Sequence, residues 1–532
     1  MPVALGNPTG RRLLVLSSPR FFIISLSVLV LGASLYLWRV SGSEASKVKS
    51  TENYWAETGL GPAALEDLLQ DQTCSSSQRY FLACANSVLT VANRYNLSLG
   101  LNGELVPVHE SLSADMSSEK KQLEPWQKFF AENTAKAVKI SFLKAWQELQ
   151  EKHIPESQRA MMVGLGLNGF ISVFRDPHTY FMPVSQFQEV ISRADSRSVS
   201  LGISLGTANG RYVIRKLTEG SPAKLAGLQK GDVLLSVNGF EVKGLLQARV
   251  SELLKGEVGE VAKVRVLRDG EELKFRLRRQ EITIATVSTR VIEGIKPIAV
   301  VGINKFARGA CEKVKESLDI LKESHVRGLL LDLRDNPGGQ MEEAACIASL
   351  FVGPDEKIFE VRYLDPSKKS EEYYGGEEKR FDLPMAVLIN AASASASEIV
   401  AGALRDLNRA VLVGERTFGK GSFQEGEYWS QNKKIALFET KGFYYLPSGR
   451  SPQMKGLEPD VAVNFEEISV VREAEQFIHP LRAPERQVRM LGKAFATGDC
   501  LEMEDALSSD DMQMTKARQV LFCTKAVARA GL

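Results

Sequence analysis

The chain has 532 residues, of which 44% are hydrophobic and 25% charged, and its formal net charge is +2. That length exceeds one ordinary core and implies two or three domains, while the composition excludes a disordered chain. The near balance of charge gives no ground for a nucleic-acid surface, and no motif of that class is present.

Residues 1–20 form a positively charged leader with Arg11, Arg12 and Arg20. Residues 21–38, from Phe21 to Trp38, carry no charge and are just long enough to span a bilayer. The arginines ahead of the run favour a cytoplasmic N-terminus and a body on the other side. A retained anchor is preferred over a cleaved signal peptide, because bulky Tyr36, Leu37 and Trp38 close the run and no small-residue cleavage site follows. Residues 39–60 read as a polar linker. Residues 61–195 show apolar positions at helical spacing, as in Ile140–Leu149, and predict a helical region interrupted at Arg175–Phe181 by Pro177.

From Val199 the pattern changes to short strands separated by glycine turns. Val261–Arg268, Asp269-Gly270 and Lys274–Arg278 predict a β-hairpin. The stretch from Ser221 to Gly239 reads Ser-Pro-Ala-x-x-Ala-Gly-Leu-x-x-Gly-Asp-x-Leu-x-x-Val-Asn-Gly, and residues 199–283 thereby resemble a PDZ domain. That resemblance implies capture of extended C-termini by strand addition, with the carboxylate held by the backbone near Leu201, Gly202 and Ile203. The loop Ser200-Leu-Gly-Ile203 departs from the usual Gly-Leu-Gly-Phe type.

Residues 284–465 alternate strands and helices: Ile298–Ile303, a helix over Ala310–Lys322, Gly328–Arg334, Met385–Asn390 and Val411–Gly414. This predicts a mixed or parallel sheet flanked by helices. The tail, residues 466–532, is polar with a mostly helical pattern. The six cysteines fall into three sequence-close pairs. Cys74/Cys84 and Cys500/Cys523, in polar surroundings, are the better disulfide candidates, whereas Cys311 and Cys346 read as buried thiols in helices. No Cys-x-x-Cys spacing or His-Glu-x-x-His motif points to a metal, and no cofactor motif is present.

The chemistry concentrates at Ser393-Ala-Ser-Ala-Ser-Glu398, which joins an apolar strand to a helix-like stretch, and at Thr417-Phe-Gly-Lys-Gly421. A serine at such a turn is exposed and close to helix N–H groups, but it needs a base. None of the five histidines (His109, His153, His178, His325 and His479) has a triad context. A lysine made neutral by burial can serve instead, and Lys420 lies between two glycines beside Phe418. With Ser395 as nucleophile, one oxyanion donor is the N–H of Ala396. The second comes from the Pro337-Gly338-Gly339 turn, with Gly338 preferred over Gly339. Ser395-x-x-Glu398 also fits a helix capping box. Asp332, Arg334 and Asp335 suit substrate contact or structural ion pairing equally, and Asp176 and His178 read as a structural turn before a catalytic pair.

Four motifs, Asp332–Gly339, Ser393–Ile399, Thr417–Gln424 and Pro447–Asp460, together with Asp176-Pro-His-Thr179, closely resemble the C-terminal processing peptidases over roughly residues 120–465. The resemblance implies an extracytoplasmic serine endopeptidase with a Ser-Lys dyad, Ser395 as nucleophile, Lys420 25 residues later as base, and Gln424 orienting the lysine. It implies an α/β multidomain fold. A helical N-terminal region and a PDZ domain precede a βαβ core of the ClpP/crotonase-like kind, which takes in parts of 120–195, and a helical tail follows. The implied partners are protein or peptide substrates with exposed C-termini, the membrane through the N-terminal segment, and a second copy or an adaptor. The implied location is the periplasmic face of a bacterial inner membrane. The runner-up is a catalytically silent PDZ scaffold for exported proteins; a histidine-dependent serine protease is weaker, since its motifs are missing.

Overall fold

The computed structural model describes residues 51–463, 470, 472–476, 481–486 and 511–522, apart from 96, 101–102, 108–139, 175, 177, 193–195, 244, 246, 257, 295 and 377–380. The expected membrane segment 21–38, His109, His479, Cys500 and Cys523 lie outside the described residues. Among the described residues no helix is long and apolar enough to cross a membrane, and no His/Cys/Asp/Glu group could hold a metal ion.

Helix α1 (Thr51–Thr58) begins inside the stretch expected to be a linker, which corrects that boundary. It is held by burial of Tyr54, Trp55 and Thr58. The Trp55 ring lies where a side chain on Gly164 would stand, 2.4 Å from an ideal Cβ, so glycine opens the slot. Helices α2 (Gln78–Ala92), α3 (Phe142–Lys152) and α4 (Arg159–Ile171) share one core with Trp55, Phe81, Phe142, Trp146 and Leu149. Cys74 and Cys84 are disulfide-bonded there, as the sequence predicts. Strand β1 (Tyr180–Pro183) leads out of this helical region.

The chain enters and leaves the PDZ domain through one antiparallel pair, Ser196–Ser200 with Gln280–Ile284. The domain contains β2 (Ile203–Ala208), β3 (Arg211–Leu217), β4 (Val233–Val237), helix α5 (Gln247–Leu254), β5 (Val261–Arg268) and β6 (Glu271–Arg278). The sheet order is β6-β5-β4-β3-β2, so β2 is an edge strand. Asp269 and Gly270 both have positive φ (50° and 86°), the conformation of the predicted two-residue hairpin turn.

The core then runs β7 (Val287–Ile292), β8 (Ile298–Ile303), α6 (Ala310–Lys322), β9 (Leu329–Asp332), α7 (Met341–Ser349), β10 (Lys357–Tyr363), β11 (Glu371–Tyr374), β12 (Met385–Ile389), α8 (Ala396–Asp406), β13 (Val411–Gly414), β14 (Ser422–Trp429), β15 (Asn432–Tyr445) and β16 (Val461–Ala462). The main sheet has the order β7-β8-β9-β12-β13-β16; β7 is antiparallel to β8 and the other pairs are parallel. Its inner strands β8, β9, β12 and β13 are apolar runs because both faces are covered. Val301, Leu331, Val387 and Leu412 face α6, α7 and α8. Val300, Leu330, Leu388 and Val413 face α10 (Met512–Leu521), which the tail contributes after the one-turn α9 (Glu473–Gln476). A second sheet, β11-β10-β15-β14, takes β1 onto β15.

Cys311 of α6 and Cys346 of α7 form a disulfide, with Cα atoms 5.9 Å apart, which corrects the expectation of two buried thiols. Each cysteine lies in a helix as read, but the two helices pack side by side, and the Glu343 carboxylate of α7 accepts the Gly309 and Cys311 N–H groups at the start of α6. Sequence periodicity does not reveal which helices are neighbours.

Candidate active site

Three connections leave the carboxyl ends of adjacent parallel strands and meet at one edge of the main sheet, the usual place for a site in such a sheet. They are the turn between β9 and α7, the turn between β12 and α8, and the loop between β13 and β14 that carries Lys420.

Asn336 joins the first two connections. Its carbonyl accepts the Ala394 N–H at 3.0 Å and the Ser397 hydroxyl at 2.9 Å. The Ser393 hydroxyl donates to the Leu333 carbonyl at 2.8 Å. Both flanking serines are fully buried and consumed by the turn, whereas Ser395 is only partly buried. Ser395 sits at φ 55° and ψ −116°, a backbone conformation rare for a residue with a side chain. Ala396 is the first residue of α8, where N–H groups have no intrahelical acceptor.

Gly338 (φ 101°) packs directly against this turn: a Cβ there would lie 2.8 Å from Ser395 Cβ and 3.0 Å from the Ala396 nitrogen. Its own N–H, however, donates to the Asn336 side-chain oxygen at 2.8 Å. The packing thus gives Gly338 a part through close approach, while its N–H is engaged by Asn336. Gly339 bridges Phe306: the Phe306 N–H donates to the Gly338 carbonyl, and the Gln340 N–H to the Phe306 carbonyl.

Lys420 is largely packed within protein, and its Nζ donates to Gln424 Oε1 at 3.0 Å. The Gln424 amide donates to Thr440 at 3.2 Å and Ser422 at 3.3 Å, which fixes its oxygen toward the lysine. Burial pulls the Lys420 ammonium below its usual value, opposed in turn by Glu473, Asp176 and Glu398. The Tyr444 hydroxyl lies 3.0 Å from the Ser395 carbonyl and 2.6 Å from the Lys420 carbonyl, spanning the serine turn and the lysine loop.

Glu398 was legible only as a capping residue. The capping box is present, with the Ser395 N–H on Glu398 Oε2 at 2.9 Å, but the same carboxylate also accepts from Lys420 N–H, Gly419 N–H and the Thr417 hydroxyl. It thus ties the serine turn to the lysine loop. Burial pushes its carboxyl up to about 7, against the pull of these four donors.

Asp176 forms the expected turn, accepting the His178 N–H and the Thr179 hydroxyl, and it also accepts the Thr440 hydroxyl behind Gln424. Arg334 is a structural ion-pair residue, bonded to Asp332 and to Asp511 of the tail. Asp335 (φ 63°) binds Arg215 and Lys216 of PDZ strand β3 and accepts from Asn390. Burial pushes its carboxyl up, but Arg215 and then Lys216 overcome this and hold it well below the usual carboxylate range. The predicted PDZ residues Leu201, Gly202 and Ile203 lie at the start of edge strand β2. Gly202 (φ 76°) fits only as glycine, since a Cβ would stand 2.2 Å from Ser221 Cβ.

A family model for peptidase family S41 matches residues 297–463, the segment that carries all three connections. The chain is a serine-type peptidase, and residues 297–463 are its S41-like part. A PDZ-domain model matches residues 199–278. The chain is 26% identical over 418 residues to the carboxy-terminal processing protease CtpA of Bacillus subtilis, a match covering 71% of this chain and 89% of that protein. It is 28% identical over 324 residues to CtpB of the same organism, covering 60% of this chain and 66% of the relative. A solved structure of the photosystem II D1 C-terminal processing protease matches with a TM-score of 0.46 and 26% identity, covering 61% of this chain and 87% of that one.

Proposed function

We propose that this serine-type peptidase is an extracytoplasmic endopeptidase that captures protein C-terminal tails on its PDZ domain and cuts them with a Ser395–Lys420 dyad. The observation that carries the dyad is the largely packed Lys420, turned by Gln424 and tied through Glu398 to the turn holding Ser395. Neutral Lys420 takes the Ser395 proton, and the alkoxide attacks the scissile carbonyl. The oxyanion is received by the N–H of Ala396 and, since Gly338 donates to Asn336, by that of Gly339. The leaving amine takes the proton from Lys420, and water then releases the acyl group.

Tail capture is supported by the edge position of β2, where a peptide adds as a further strand and its carboxylate meets the Leu201–Ile203 loop. Two disulfides suit an oxidising compartment and agree with an uncleaved segment 21–38 holding the body outside the cytoplasm. The substrates are unfolded or loosely ended proteins with free C-termini; an adaptor or a second copy is a further partner by likeness alone.

The test uses an unstructured reporter protein with either a free or an amidated C-terminus. Wild type should cleave the free form faster, and Ser395→Ala should bind it without turnover. Equal cleavage by Ser395→Ala would remove Ser395 from the mechanism, and indifference to amidation would remove tail capture.

The Arg215–Asp335 and Lys216–Asp335 pairs join the PDZ domain to the turn that leads into Gly338 and Gly339. Replacing both cations by alanine leaves a half-buried carboxylate without its cationic partners and loosens that turn. The expected result is a roughly tenfold fall in kcat with the affinity for a tail peptide unchanged. Binding measured by fluorescence anisotropy beside turnover separates the two.

A further inference from the structure

Three carboxylates act on Lys420, and two of them have donors on both oxygens. Glu398 accepts from four donors, two on each oxygen. Asp176 accepts from the His178 N–H and the Thr440 hydroxyl on one oxygen and from the Thr179 hydroxyl on the other. The third is Glu473, the first residue of α9 in the C-terminal tail.

Glu473 is fully buried. Its Oε1 is bonded to His178 Nε2 at 2.8 Å and accepts from Gln453 Nε2 at 3.4 Å. A carboxylate only accepts, so His178 Nε2 carries the hydrogen. Its Oε2 is buried with no partner among the described residues. A buried, unpartnered carboxylate oxygen is costly and calls for an explanation. The residue is also firmly placed: its N–H donates to the Phe418 carbonyl, two residues before Lys420. Gln453, which holds Oε1, accepts the Gly421 N–H at 2.7 Å, one residue after Lys420. The same glutamine donates to the Leu481 carbonyl further along the tail. The tail is therefore pinned to both sides of the lysine.

What this arrangement lacks becomes available during the reaction. When Lys420 removes the Ser395 proton, a largely packed neutral amine becomes a largely packed ammonium, and Gln424 offers only one neutral oxygen to it. An ammonium formed in such a place is stabilised by an opposite charge held nearby. Glu398 and Asp176 have their oxygens engaged elsewhere, and Glu473 Oε2 does not.

We propose that Glu473 is a positioning residue that supplies the counter-charge for the Lys420 ammonium formed when Ser395 is deprotonated, with His178 and Gln453 holding its other oxygen. The proposal rests on the Ser-Lys reading and extends it: the C-terminal tail completes the catalytic apparatus, and the Asp-Pro-His-Thr turn serves it through His178. The proton balance is unchanged; it passes from Ser395 Oγ to Lys420 Nζ and on to the leaving amine.

The test is the pH dependence of kcat/KM on a protein reporter, measured with the full chain. Glu473→Gln keeps the shape and removes the charge. Its kcat should fall about ten- to hundredfold with KM nearly unchanged, while the acid limb of the profile moves down by about one pH unit, because the carboxylate that favours charged Lys420 is gone. Glu398 and Asp176 also face the lysine, but this variant leaves both unaltered. His178→Gln retains an amide donor for Oε1 and should keep most of the activity and the wild-type limb; His178→Ala should not. Lys420→Ala, run alongside, separates the two ideas. If it stays fully active, the dyad itself is wrong. If it is inactive while a folded Glu473→Gln, checked by thermal melting, keeps both the wild-type kcat and the wild-type limb, the dyad stands and the counter-charge is overturned.

Discussion

Lys420→Ala will lower kcat by about 10²- to 10⁴-fold, the range a positioned general base contributes. The melting temperature should not fall with it, because a lysine held neutral by burial costs the folded state relative to an unfolded chain in which it is charged. Loss of activity without loss of stability is thus the expected signature, read by turnover and calorimetry on one preparation. With Lys420 as the proposed base the active form is the neutral amine, so activity should climb as pH rises through the lowered Lys420 value and then level off. An activity highest at acid pH and falling through neutrality would contradict a lysine base. Gln424→Ala should be milder, about tenfold, since it removes the oxygen that aims Nζ but leaves the amine largely packed.

Glu398→Gln is expected to have the second largest effect, lowering kcat by about a hundredfold or more. Four donors converge on this carboxylate, and an amide can accept on one oxygen only; its NH2 group would face N–H groups that need an acceptor. Each buried donor left without a partner costs about 1–3 kcal/mol, so the turn holding Ser395 and the loop holding Lys420 should lose their common anchor. The pH dependence provides a sharper check. Burial raises the folded-state carboxyl from 4.5 to about 7, so its contribution to stability is fully present below 4.5 and is lost as pH rises through about 7. Denaturant titrations across that window should show a slope in the wild type that flattens in Glu398→Gln. A slope unchanged by the substitution would mean that Glu398 does not titrate there.

What the sequence made legible was local. The strand-turn-helix at Ser395, the glycines around Lys420 and the hairpin at Asp269-Gly270 are written in neighbouring residues, and the structure builds each where the spacing placed it. The fold class followed for the same reason, from the alternation of apolar strands with amphipathic helices. The misses are long-range. Glu398 declared itself as a helix cap, but nothing near it announces that Thr417, Gly419 and Lys420 fold back onto the same two oxygens. Glu473 sits in a polar tail that resembles the family least, and no spacing rule connects it to His178, 295 residues away. Asn336 and Gly338 were visible as a turn, yet the direction of one N–H depends on a side chain two residues before it. Nothing in the sequence around Arg215 and Lys216 announces that both bind Asp335, in the turn that leads into Gly338 and Gly339. Cys311 and Cys346 needed the packing of two helices, and α1 needed the slot above Gly164, before either could be assigned.

The backbone of Ser395 places activity and stability in opposition at a single residue. Its φ of 55° with ψ of −116° is a conformation that glycine adopts freely and serine does not, at a cost on the order of 1–3 kcal/mol. A population of variants screened only for resistance to heat would therefore drift toward glycine at position 395 and discard the hydroxyl. Serine persists there only under selection for turnover, so thermal robustness in relatives or engineered forms of this peptidase is no guide to whether they still cut.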